Sequence, residues 1–450
     1  MRQLSKFIKY VILIVLVLCI AIPFSGSYSV QSIDDLAYLI VLGIDVGETN
    51  TYKVTFQFTM PNSSGGDSPS SEAAPTIINS VDAPTLDSAI NLMNTYVSKE
   101  INLSHCKAVV ISEVLAKKGI SNITYNLMNK VQIRPSCNII ISKSTAKDFI
   151  ENVNPSLENL IAKFYEISPT SSEYTGYTSD AKIGSFFNEL ACTACDPIAM
   201  LGFVDTKDSK GSTNFTTQTS SSSSSSGSSD SGSSDSSCKN SEIMGLAVFK
   251  SDKLVGELTP DETLYHSLIV NDIESCYVSI PQSETKKEPL TLFVYNKKNP
   301  KVKVEIINNS PLIHLELNLE AKVLSVDNSS VNMSEEKIAE ISAMANQYLK
   351  TEITKFLYKT SKEYKADINH FGKYAFPLFY TTSEFKKYNW LDNYQNSFFD
   401  VKINTNVESS LLLGGSWFHL FFFIYFFKIY LSTYFISSND SYSHLVTYFV

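Results

Sequence analysis

Cys192-Thr-Ala-Cys195 is the closest pair of potentially reactive side chains in this chain. A C-x-x-C pair can run thiol–disulfide exchange or supply half of a zinc site. Zinc needs four ligands, and no second C-x-x-C or H-x-x-x-H completes the set. A redox C-x-x-C opens a helix after a strand. Here the pair closes an apolar, helix-compatible stretch, Ile183 to Ala191, and is followed by Asp196-Pro197. Small residues in a packed segment fit that position better than a redox centre. His105 would need a nucleophile and an orienting acid close in space to act as a base. Its place before an apolar run suits a hydrogen-bonded structural histidine. Asp34, Asp35 and Asp45 have the oxygen chemistry of a hard-cation site, but not the calcium-loop spacing with its Gly and final Glu. Turn and cap roles are expected of them. Arg134, before Pro135, is either an internal ion-pair partner or an interface contact. The sequence has no Walker loop, nucleophile elbow or H-E-x-x-H, so neither a cofactor nor a metal is expected.

Other features limit where this chemistry could operate. Arg2, Lys6 and Lys9 precede an apolar run, Val11 to Phe24, that is broken by Pro23 and followed by Ser25-Gly26-Ser27. The run has the size of a signal-peptide core and is short of the roughly 20 residues that span a bilayer. Basic residues ahead of it hold that end in the cytoplasm, so the remainder is exported. The 450 residues carry 37 Lys plus Arg against 46 Asp plus Glu, a net charge of −9. An acidic chain without a long basic run excludes nucleic acid as the expected partner. Seven cysteines are too few for a disulfide scaffold.

Residues from about 210 to 240 are Ser, Gly, Thr and Asp, with an unbroken Ser run at 220–226. Such a tract buries too little apolar surface to offset its ordering entropy and reads as a flexible linker or loop. Pro61 to Pro75 reads as a smaller loop. Strands are expected at Leu39–Asp45, at Tyr52–Phe58 (half-buried, by its period-two alternation), at Cys106–Ser112 and at Asn138–Ser142. Helices are expected over Asp82–Lys99, over Glu113 to Gly119 and over Ser144–Val153. Beyond the linker, Gly245–Lys250 and Lys253–Leu258 form a hairpin through Ser251-Asp252. Val302, Val304 and Ile306, then Ile313, Leu315, Leu317 and Leu319, alternate with polar residues, as in antiparallel strands with one wet face. Ser334 caps a long amphipathic helix through Ile338, Ile341, Ala345, Leu349, Ile353 and Phe356. Val401, Ile403 and Val407 fit a last strand.

Several of these blocks, in this order, resemble the Ger(x)C family of spore germination proteins, the C subunits of nutrient germinant receptors. They are Ile33 to Ala37 with Asp34 and Asp35, then Gly43-Ile44-Asp45, then Leu103 to Glu113 with His105, then Ile133-Arg134-Pro135. After the linker come Gly245 to Phe249, Leu254-Val-Gly256 and Ala366-Asp367-Ile368. The resemblance spans about Ile33 to Gly415. It implies a non-catalytic protein on the outer face of the spore inner membrane, joined to integral-membrane A and B subunits, with no small-molecule substrate of its own. Members usually carry a lipobox cysteine, and here Ser27 stands where that Cys would be expected. An uncleaved N-terminal anchor could replace the lipid.

The expected fold class is α+β, multi-domain, with mixed sheets, packed helices and an N-terminal membrane-targeting segment. The expected division is 1–27 signal peptide or anchor, 28–208 an α/β region of two subdomains, 209–240 linker, 241–410 an α+β domain with the long helix, and 411–450 an aromatic tail. That tail is open to three readings: a membrane segment, a readthrough extension, or packing on the body. Two functional alternatives stand beside the receptor subunit. One is an exported thiol–disulfide oxidoreductase using Cys192 and Cys195. The other is a stand-alone solute-binding membrane protein.

Overall fold

The computed structural model describes residues 8–15, 35–59, 76–155, 160–204, 241–281, 290–325 and 335–409. The expectations for most of the N-terminal segment, for Ser27 and Asp34, for the Ser-rich tract, for Pro61–Pro75, for the Ser334 cap and for the 411–450 tail lie outside these residues. No helix among the described residues is long and apolar enough to cross a membrane.

The first sheet contains β1 (Leu36–Val46), β2 (Tyr52–Thr59), β3 (Thr76–Ala83), β4 (Glu100–Asn102), β5 (Ala108–Ser112), β6 (Asn138–Ser142), β7 (Ile198–Val204), β8 (Ser241–Lys250) and β9 (Lys253–Leu258). Its order is β3-β2-β1-β5-β6-β7-β8-β9, with β4 pairing β1. The centre, β1-β5-β6-β7, is parallel, and antiparallel strands flank it on both sides. β5 and β6 are buried at every residue, as the unbroken apolar runs of a parallel centre covered on both faces require. The covering helices include α1 (Leu86–Tyr96), α2 (Glu113–Lys118), α3 (Ser121–Met128), α4 (Ala146–Glu151), α5 (Ile161–Ile167) and α6 (Ile183–Leu190).

Two local expectations are corrected. β2 is buried at five consecutive residues, Val54 to Phe58, and is not half-wet. Its alternation records neighbours, because Thr55 Oγ1 bonds Ser80 Oγ at 2.9 Å across the β2–β3 pair. The helix expected from Asp82 begins only at Leu86, since Asp82 and Ala83 end strand β3. Asp82 is held there by the β1–β2 turn. Its carboxylate accepts the N–H groups of Glu48, Thr49 and Asn50 at 3.0, 2.8 and 3.1 Å. Thr85 and Ser88 then form a capping box that starts α1.

The second sheet is β10 (Cys276–Ile280), β11 (Leu290–Ile307), β12 (Ser310–Ser325) and β13 (Phe398–Ser409), in that order. β10, β11 and β12 are antiparallel, but β13 runs parallel to β12. Alternation shows that one face is wet but carries no strand direction. α8 (Glu335–Tyr358) lies on the dry face and buries Ile341, Ala345, Leu349, Ile353 and Phe356. α7 (Pro260–Val270), α9 (Phe371–Ala375) and α10 (Thr382–Tyr388) complete this half.

The Ser-rich tract connects β7 to β8, which are antiparallel neighbours in one sheet. It is therefore a connection within the first sheet, and the β8–β9 hairpin belongs to that sheet although it follows the tract. The hairpin also serves the second half. Ala247 and Phe249 enter the first core, while Leu246, Val248 and Leu258 enter the second. The period-two geometry of a strand places successive side chains on opposite faces, so one hairpin walls two cores.

Candidate functional site

Five of the motif residues fall into two groups, and both are packed joints. The first holds α4 on β1. Gly43 sits under that helix: a Cβ there would lie 2.7 Å from Ile150 Cδ1 and 3.1 Å from Thr55 Cβ. Two residues along the strand, Asp45 is buried, and its carboxylate accepts the N–H of Ala146 at 2.7 Å and of Lys147 at 3.1 Å. It caps the first turn of α4 from a neighbouring strand. Burial raises its pKa above the ordinary carboxylate value, opposed by those two N–H donors. Asp35 is exposed at the other end of β1, roughly 33 Å away at about 3.3 Å per residue. Asp35 and Asp45 therefore share no cation site, and no cluster of metal-binding side chains occurs among the described residues.

The second joint ties the first sheet to the helices that follow α8. Asp196 N–H donates to Asp367 O at 3.0 Å, and Asp367 N–H donates back to Asp196 Oδ2 at 3.0 Å. Asp196 Oδ1 accepts from Ser251 N–H at 2.9 Å, which fixes the β8–β9 turn. Asp367 is fully buried. Its oxygens accept from Phe371 N–H at 3.1 Å, Gly372 N–H at 2.8 Å and Trp390 Nε1–H at 2.8 Å. Burial raises the pKa of both carboxyls, that of Asp196 to about 6. Gly372 admits the close approach here: its Cβ would stand 2.3 Å from Ala194 O. Gly256 does the same on β9, where the Tyr364 ring lies over it and the Tyr364 hydroxyl donates to Glu257 O at 2.7 Å. Gly245 takes φ +81 at an irregularity in the β7–β8 pairing and donates its N–H to Tyr177 O at 2.6 Å. A left-handed φ with a backbone carbonyl 2.5 Å from a would-be Cβ admits only glycine.

The remaining motif residues stand apart. His105 is exposed and meets Tyr38 edge-on at 4.7 Å, so it is an aromatic surface contact and not the satisfied structural histidine expected. Its loop turns out of the sheet before β5 begins, which carries the ring to solvent. Glu113 opens α2 and pairs with Lys117 and, at 3.6 Å, with Lys143. Arg134 is exposed and makes no ion pair among the described residues; its carbonyl accepts Cys137 N–H at 2.9 Å.

Cys192 and Cys195 lie in the turn between α6 and β7, with their sulfurs 2.7 Å apart. They follow a helix and do not open one. Cys195 is buried, and burial together with the neighbouring sulfur pushes its thiol well above the ordinary value. An exchange nucleophile requires the reverse shift. Cys106 and Cys137 form a second buried pair, 3.8 Å apart. Sequence reasoning missed Asp196, Tyr364, Gly372 and Trp390. Asp196-Pro197 reads locally as a turn, and its partner Asp367 is 171 residues away.

Comparison with known proteins fits this architecture. Residues 29–201 match the family described as spore germination protein N-terminal domain, and residues 244–411 match spore germination B3/GerAC-like, C-terminal. The chain belongs to the GerAC-like family of spore germination proteins. Among curated relatives, spore germination protein KC of Bacillus subtilis (strain 168) is 23% identical, covering 92% of this chain and 99% of that one. Spore germination protein B3 of the same organism is 21% identical over 82% and 87% of the two chains. The crystal structure of the GerBC protein matches with a TM-score of 0.48 and 16% identity, over 81% of this chain and 96% of that one. The germinant-receptor C-subunit family expected from the sequence is thus the family found.

Proposed function

We propose that this GerAC-like protein is a non-catalytic C subunit of a nutrient germinant receptor. It is held on the outer face of the spore inner membrane and acts in receptor assembly or signal relay with two integral-membrane subunits, A and B. The observation that carries the reading is the pair of family matches, which together cover most of the chain from 29 to 411. The geometry supports it. Gly43, Asp45, Gly245, Gly256 and Asp367 are spent on joining elements and do not converge on a pocket. A body whose motif residues fix its internal geometry suits a rigid assembly subunit.

The test is a pull-down of tagged protein from detergent-solubilised spore inner membrane, followed by mass spectrometry. Recovery of two integral-membrane receptor subunits is expected. Recovery of this chain alone, from spores that contain those subunits, would overturn the proposal. A second reading, thiol–disulfide exchange, draws on the close approach of Cys192 and Cys195. It requires the full chain to reduce or oxidise a model disulfide at a rate lost in Cys192→Ser.

A further inference from the structure

From the last two residues of α9 toward α10 the chain reads Tyr374-Ala-Phe-Pro-Leu-Phe-Tyr380. Ala375 and Phe379 turn inward, Phe379 onto Phe385 and Tyr388 at 5.3 and 5.2 Å. The other large side chains reach solvent: Tyr374 is 48% exposed, Leu378 50%, Tyr380 99%, and Phe376 42% although its ring also meets Phe385 at 5.1 Å. Pro377 lies in a single 3-10 turn, Phe376–Leu378, which stiffens the segment. The Tyr388 hydroxyl donates to Asn309 O at 3.1 Å, so this segment stands beside the tip of the β11–β12 hairpin, where Ile307 is 50% exposed. Scattered exposed apolar residues are ordinary on a protein surface, but a contiguous group of this kind marks an interaction site.

The charge around the group is mainly positive. Lys373, Lys386 and Lys387 are exposed and make no ion pair among the described residues, although the whole chain carries −9. The neighbouring acid, Glu384, accepts Tyr380 N–H at 3.2 Å. The shape is a knob and not a groove, since its outermost ring, Tyr380, is almost fully free. Tyrosine tips, Phe and Leu bodies and flanking lysines are the composition that lies at a membrane–water boundary. We propose that the Tyr374–Tyr380 segment seats in the interfacial zone of an anionic phospholipid bilayer. Leu378 and Tyr380 then reach the acyl boundary, and the three lysines lie at the headgroups. The inference rests on the membrane-associated reading above.

The test is full-length protein in phosphatidylcholine–phosphatidylglycerol vesicles, with an indole introduced by Leu378→Trp and the two native Trp subtracted using wild type. Tyr380→Trp is the second site should the first variant melt early. Acyl-chain-brominated lipid should reduce the new emission about two-fold, because seating roughly 5–10 Å deep brings the indole beside the bromines. Val131→Trp, at a fully exposed site elsewhere, should not respond. Lys373→Glu/Lys386→Glu/Lys387→Glu should abolish the quenching at position 378. No quenching at 378 or 380 overturns the inference. So does an indole that is silent to brominated lipid but becomes shielded from iodide once A and B are co-reconstituted, which assigns the knob to a protein partner. Failure here alongside co-purification of A and B leaves the receptor reading standing. Quenching without co-purification does the reverse.

Discussion

Gly256→Ala gives the sharpest test of how the two halves are joined. A methyl at this position would sit 2.2–2.5 Å from three atoms of the Tyr364 ring. The strand backbone is fixed by its pairing with β8, so the ring must move. Overpacking of this kind costs about 1–3 kcal/mol. Displacing the ring also breaks its hydroxyl bond to Glu257 O, worth about 1 kcal/mol. It removes the ring from Lys359 Nζ, now 5.3 Å from the ring centroid, worth about 0.5–1 kcal/mol. The reduced freedom of the unfolded chain returns about 0.4–1 kcal/mol. The net expectation is a loss of about 3 kcal/mol. By the scaling for domains of ~150–250 residues, that lowers Tm by about 6–12 °C.

The decisive arm is the double mutant. In a Tyr364→Ala background the methyl meets no ring, so Gly256→Ala should be nearly neutral. The cycle should then give a coupling of about 2–3 kcal/mol. The assay is thermal unfolding of the detergent-solubilised full chain, followed by aromatic fluorescence. Additive single and double effects, or a Gly256→Ala change below about 0.5 kcal/mol, would refute the account of Gly256 as a contact-limited glycine.

The remaining expectations concern titration, capping and thiols. The Asp196 pKa is raised to about 6, so this carboxyl binds more protons folded than unfolded, and its contribution to stability falls by about 3 kcal/mol as pH rises from about 4 to 6. Burial lowers the His266 pKa to about 4, against the opposing bond to Asn369, so its contribution rises by about 3 kcal/mol as pH goes from about 4 to 6.5. Urea titrations against pH should show Asp196→Asn steepening the rise with pH relative to wild type, and His266→Gln steepening the fall; parallel profiles would reject both assignments. Asp45→Ala leaves the Ala146 and Lys147 N–H groups without their acceptor and should destabilise by about 2–3 kcal/mol in the same assay. Of the described cysteines, iodoacetamide at pH 8 should modify half-buried Cys192 first, while Cys195, Cys106, Cys137 and Cys276 wait for denaturant; rapid modification of Cys195 would contradict its burial.

How much of this was readable depends on distance along the chain. β5, β6, the β8–β9 hairpin and the dry stripe of α8 follow from local patterns, and their limits lie within a few residues of those expected. β3 was missed because Thr76–Ala83 mixes Ile and Val with Asn, Ser and Asp, and the strand is held at a sheet edge by pairing with β2. The direction of β13 has no local signal at all. At the joint, Gly245, Gly256 and Asp367 were recognisable as a family pattern. Their physical reasons are partners distant in sequence: Tyr177 for Gly245, Tyr364 for Gly256, Asp196 for Asp367. The Ser-rich tract misleads for the converse reason. Composition marks a polar connection and says nothing of whether the strands on either side are neighbours.

One consequence bears on relay. Leu246 and Val248 sit in one core, Ala247 and Phe249 in the other, so a one-residue slip of β8 would exchange every contact. The halves cannot slide past each other on this hairpin. The Asp196–Asp367 contact also ties the halves, and Gly372 lets the Ala194 carbonyl approach its backbone there. Gly372→Ala places a methyl 2.3 Å from Ala194 O and 2.6 Å from Trp390 Nε1, which should part the contact at about 1–3 kcal/mol. If the protein relays a displacement through this joint, spores carrying Gly372→Ala should retain the A and B subunits in pull-downs yet germinate more slowly on nutrient. Gly43→Ala, a comparable insult at the distant α4 joint, should leave the rate nearer wild type at matched protein level. Equal slowing by the two variants would mean that stability alone sets the rate, and the relay argument would fail.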